Sequence, residues 1–116
     1  MKDILNKQNF VVVGDTTNNE KYAYKIKKQL LEQGYQVECV GKEKESINEV
    51  EFDIQVLDLC IHPVKGIQLL KENKKEIEIV IIQPGAQSQE IIDFLNKNHI
   101  EYIEDCLYKA LINKRG

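Results

Sequence analysis

The stretch Phe10-Val11-Val12-Val13-Gly14-Asp15-Thr16-Thr17-Asn18-Asn19-Glu20-Lys21-Tyr22 decides the fold class. Its first four residues are apolar and mostly β-branched, as in a strand covered by helices on both faces, and Gly14 ends the run. It reads as a first, central strand. From Glu20 to Gln33, the apolar Tyr22, Ala23, Ile26, Leu30 and Leu31 fall on one helical face, Lys and Gln fill the other, and Gly34 supplies a stop. The unit is strand, turn, helix.

The pattern repeats outward from there. Strands are expected at Gln36 to Val40, Ile54 to Ile61, Glu78 to Ile82 and Glu101 to Ile103. Helices are expected at Val64 to Asn73 (burying Val64, Ile67 and Leu70), Ser88 to Asn98, and Cys106 to Ile112 (packing Leu107, Ala110 and Leu111). Between Gly41 and Phe52 the charged stretch GKEKESINEVEF offers only Ile47 and Val50 for burial, which predicts a loop or one helical turn. Strands alternating with helices demand parallel pairing through right-handed crossovers. The expected fold is α/β, a Rossmann-like three-layer αβα sandwich on a five-stranded parallel sheet of order 3-2-1-4-5. In that order the ligand crevice lies outside the carboxyl ends of strands 1 and 4, where Gly14 and Gln83 stand.

Composition bounds the function. The chain has 116 residues, 42% hydrophobic and 30% charged, which suits one domain spanning 1–116. A net charge of -3 gives no general pull toward nucleic acid or an anionic membrane. Cys39, Cys60 and Cys106 are odd in number and form no CxxC pair, so neither a disulfide framework nor a zinc site is suggested. The first ten residues, MKDILNKQNF, lack an apolar signal core, and the longest apolar runs are strand-sized. A cytoplasmic location is expected.

Two turns carry the candidate chemistry. Gly14 to Tyr22 puts a glycine, hydroxyls and amides before a helix whose free N–H groups and positive dipole end favour a phosphate, with Lys21 as an added cation. The plainer reading is that Thr16, Thr17 and Asn18 cap the helix while Lys21 is solvated. Gln83-Pro84-Gly85-Ala86-Gln87-Ser88 follows strand 4, where Pro84 and Gly85 let a backbone approach a ligand, Gln83 offers a donor and an acceptor, and Ser88 is a plausible cap. The plainer reading there is an ordinary βα turn. His62-Pro63 borders the same edge, with Pro63 opening a helix, and His62 has no catalytic partner at a recognisable spacing. Cys106 sits before the last helix, where a thiolate is stabilised, though a structural cysteine fits as well. His99 reads as a helix-end residue.

Val12 to Ile26, Leu31 to Val37, Asp53 to Pro63, Ile81 to Ser88 and Ile103 to Leu107 together resemble the stand-alone CoA-binding domain proteins, relatives of the CoA-binding domain of succinyl-CoA ligase α-subunits and acyl-CoA synthetases. The resemblance implies that Gly14, Thr16, Thr17, Lys21 and Ala23 line a diphosphate, with Asp15 and Tyr22 in the same turn. It implies that His62, Pro63, Gln83, Pro84 and Gly85 face the nucleotide or pantetheine, and that Cys106 belongs to the closing Asp/Cys signature. Two positions depart from the family's pattern. Asp15 stands where a small residue is usual, and Gly41-Lys42 replaces an Asn-Pro, with Lys42 free to meet a ribose phosphate or water.

The expected function is therefore non-catalytic binding of coenzyme A or an acyl-CoA. The expected partner is a small-molecule nucleotide, with no nucleic acid, membrane or metal, and either a homodimer or a separate enzyme partner remains open. The alternative is an NAD(P)-dependent oxidoreductase or a binder of another adenine nucleotide. Against hydride transfer, Gly14 opens no GxGxxG and no clear acid ends strand 2. A phosphoacceptor domain is set aside because Asp15 lacks an acidic neighbour, Asp58 lies before its strand's end, and Glu104-Asp105-Cys106 stands where a lysine is needed.

Overall fold

The computed structural model describes residues 1–115. Five strands, β1 (Asn9–Gly14), β2 (Gln36–Gly41), β3 (Ile54–Cys60), β4 (Ile77–Ile82) and β5 (Glu101–Glu104), pair in parallel throughout. The helices are α1 (Lys2–Leu5), α2 (Tyr22–Glu32), α3 (Pro63–Glu72), α4 (Gln89–Lys97) and α5 (Leu107–Arg115). Ile47–Glu49 forms a single 3-10 turn in the charged crossover, and it buries Ile47. Alternate residues of β1 feed two cores. Val11 and Val13 join Leu57, Leu59, Leu70 and Ile91 on one face, while Phe10 and Val12 join Ile26, Leu30, Leu107 and Leu111 on the other. The fold is thus the Rossmann-like three-layer α/β sandwich that the alternation implies.

The strand order is β2-β1-β3-β4-β5 rather than the expected 3-2-1-4-5. β3 sits between β1 and β4, and β2 is an edge. The cause is burial. β3 is covered on both faces, whereas β2 carries Gln36 and Glu38 and is only half covered, which an edge tolerates and an interior strand does not. The winding therefore reverses between β1 and β3, where Gly14 pairs with Cys60. Strands 1 and 4 are not neighbours.

Three residues expected to be buried are exposed: Tyr22 (56%), Leu31 (52%) and Val64 (60%). The buried stripe of α2 is only Ala23, Ile26 and Leu30, so the residues beside it face out. Tyr22 instead packs edge-on against Tyr108 of α5, with centroids 5.6 Å apart. Helix α1 was not expected, having only Ile4 to bury. The Tyr35 hydroxyl ties together segments near both ends of the described chain, donating to the Leu5 carbonyl and accepting from Lys114 Nζ at 2.7 Å.

Candidate functional site

A cleft of about 360 Å³ opens at the carboxyl ends of β1, β3 and β4. Asp15, Lys21, Tyr22 and Ala23 form one wall, Cys60, Ile61 and His62 the floor, and Gln83, Pro84, Gly85 and Ala86 the far wall. The two turns singled out from the sequence do meet, with the end of β3 between them. A larger cavity of about 840 Å³ lies beside Asp53, Lys74 and His99. It meets the starts of β3 and β4, however, and open α/β sheets hold ligands at the carboxyl ends.

Glycine is required where β1 ends. A Cβ on Gly14 would lie 2.2 Å from the Cys60 carbonyl oxygen and 2.9 Å from Ala23 Cβ, and one on Gly41 would lie 2.8 Å from the Gly14 oxygen. Gly14 and Gly41 thus let β1, β2, β3 and α2 converge. Lys21 is extended (φ -89°, ψ 146°), so α2 begins at Tyr22, and no side chain caps it. By contrast, α3 is capped by His62, whose Nδ1 accepts from Val64 N, and α4 by Ser88, whose hydroxyl accepts from Ile91 N. The uncapped start of α2 borders the cleft, as does the capped start of α3 at His62, and the first turn of α2 has no acid.

The hydroxyls of the first turn are otherwise engaged. Thr16 is buried and donates to Glu43 Oε2 at 2.5 Å, and the same oxygen pairs with Lys27 at 2.7 Å. Thr17 donates its hydroxyl (2.9 Å) and its N–H (3.2 Å) to Asp15 Oδ1. The Thr17 hydroxyl is the main reason that the Asp15 carboxyl is held below its usual range, with Lys42 contributing from the end of β2. Asn18 closes its own turn by accepting from Glu20 N, so none of these residues caps α2.

The far wall is tied down as well. Gln83 is buried, its Oε1 accepts from Leu107 N at 2.7 Å, and its Nε2 points to Cys106 Sγ at 3.6 Å. Gln83 thereby fastens the start of α5 to the cleft wall. Cys106 lies behind it, Pro63 occupies the first position of α3, and Lys42 is exposed beside Asp15. Gly85 adopts φ +94° with open space around it, so its backbone is approachable. Burial, then the neighbouring Asp58 and Cys106, pushes the Cys60 thiol up to about 12, which keeps it protonated at neutral pH. Sequence reasoning did not name Cys60, Ile61 or Ala86 for the cleft, nor Glu43 for the turn. The first three simply flank residues it did name.

A family model described as a CoA binding domain matches residues 8–111. The chain belongs to the CoA binding domain family. Among solved structures, this family member is similar to a conserved hypothetical protein from Pyrococcus furiosus (27% identity, TM-score 0.77), covering 90% of this chain and 99% of that one. It also shares the fold of Prb, a protein redesigned for binding (19% identity, TM-score 0.76, 93% and 84% covered). A Thermus thermophilus protein is similar at 18% identity, with a TM-score of 0.74 and 95% of each chain covered. No curated protein sequence matches.

The lining of the cleft offers two kinds of surface. An uncapped helix start with a lysine suits an anion, and the open Gly85 backbone beside apolar Ala86 and Ile61 suits a slender chain carrying amides. Asp15 places an acid on the same wall as Lys21. Among the described residues no group of side chains suits a metal, and no helix is long and apolar enough to cross a membrane.

Proposed function

We propose that the chain binds coenzyme A or an acyl-CoA without catalysing a reaction on it. The diphosphate sits at the Gly14–Lys21 turn against the start of α2, and the pantetheine runs past His62 toward Gly85. The observation that carries this reading is the uncapped α2 N-terminus opening, with Lys21, onto the cleft at the β1/β3 reversal. Among the described residues of the cleft no nucleophile stands paired with a base, which supports a binding role. His62 Nδ1 is spent on Val64 N, and the Cys60 thiol is protonated.

The test is calorimetry and thermal denaturation with CoA, acetyl-CoA, ATP and NAD. CoA or acetyl-CoA at a hundred times its Kd is expected to stabilise the fold by about 2.7 kcal/mol. Neither heat nor a rise in Tm with either would overturn the reading. Stabilisation by NAD alone would move the assignment to the dinucleotide alternative.

A further inference from the structure

We propose that Asp15 sets how strongly this site engages ligand phosphate, its carboxylate standing in the free protein where a phosphate oxygen would be held. The inference rests on the CoA-binding reading above and names its specificity-determining residue.

Three observations carry it. Asp15 is half-buried and lines the cleft on the same wall as Lys21 and the start of α2. Its Oδ1 takes both the N–H and the hydroxyl of Thr17, donors that an incoming phosphate would otherwise receive. The remaining hydroxyl of the turn, that of Thr16, is taken by Glu43, itself held by Lys27. Two carboxylates of the chain have therefore claimed the turn's hydroxyls before any ligand arrives. A diphosphate must displace Asp15 from Thr17 or sit beside it as a like charge, while Lys21 and Lys42 pull the other way. At a half-exposed site a unit charge a few ångströms from a phosphate is worth about a factor of ten in affinity. Asp15 thus lowers the share of binding drawn from the phosphates and leaves more of it to the pantetheine side of the cleft.

Two substitutions separate charge from geometry. Asp15→Asn keeps an acceptor for the Thr17 N–H and removes the charge, and Asp15→Ala removes both. Calorimetric titration with CoA is expected to give a Kd about ten-fold lower for D15A than for the parent chain, with D15N between them. In the free parent chain, the Thr17 amide resonance is expected to shift with the titration of a carboxyl below its ordinary range, and to lose that response once CoA is saturating. Equal or weaker CoA binding by both variants, with the parent still binding, overturns the proposal. So does a Thr17 amide that ignores the acid titration. If none of the three chains binds CoA, the proposed function itself falls, and this inference with it.

Discussion

Gly14 is the point at which β1, β3 and α2 touch, and the contact is with backbone. A methyl group there would be 2.2 Å from the Cys60 carbonyl oxygen, which is fixed in the sheet and cannot swing aside as a side chain would. Gly14→Ala is expected to destabilise the fold by about 3 kcal/mol, read as a lower urea midpoint with an unchanged m-value. At this scale the sequence told its story unevenly. Gly14, Lys21 and Gly85 declared themselves through the turns they occupy. The roles of Thr16 and Gln83 did not, because each side chain is bonded to a residue far along the chain, Glu43 and Leu107, and no local pattern encodes such a partner.

Among the helices longer than the four-residue α1, α2 is set apart by what it lacks. Ser46 and Glu49 form a reciprocal cap on the 3-10 turn, Ser88 caps α4, and His62 caps α3. α2 has an extended lysine instead, and its first turn holds no acid. A helix start left in this state costs stability that an anion restores. Lys21→Ser supplies the missing cap and removes the cation. It is expected to raise stability by about 1 kcal/mol while weakening CoA binding several-fold, measured by denaturation and calorimetry on the same protein. An increase in both would remove Lys21 from the site. Element types and most boundaries followed from periodicity, and the Ser88 and Pro63 positions from helix-end chemistry. α1 escaped because one buried residue makes no period, and α2 appeared too long because Glu20 and Lys21 satisfy the pattern without being helical.

For the molecule as a whole, the strand order was the feature least open to a linear reading. Alternation fixes parallel strands but not which side of β1 receives β3. The deciding quantity is how completely each strand is covered, and that was written in Glu38 of β2 against the apolar run of β3. One member of that run is Asp58, fully buried with neither carboxyl oxygen partnered by a protein group. Burial pushes its pKa well above the ordinary value of 3.8, so the folded protein keeps the proton that the unfolded chain gives up. The contribution of Asp58 to stability is therefore greatest below the ordinary carboxyl range and falls as pH rises toward its native pKa, at about 1.4 kcal/mol per pH unit for this one proton. Asp58→Asn cannot ionise in either state. Urea denaturation from pH 4 to pH 8 is expected to show the variant gaining on the parent as pH rises, and a constant difference would show that Asp58 is ionised in the fold.

The hydroxyl of Tyr35, which holds Leu5 on one side and Lys114 on the other, has a geographical consequence. Leu5 precedes β1, Tyr35 precedes β2, and α5 runs back from the cleft end of the sheet, so all three meet at the pole where the strands begin. Both ends of the described chain are thus moored opposite the cleft. A bead, a surface or a fused neighbour attached at either end leaves the mouth of the cleft turned outward, toward whatever diffuses past.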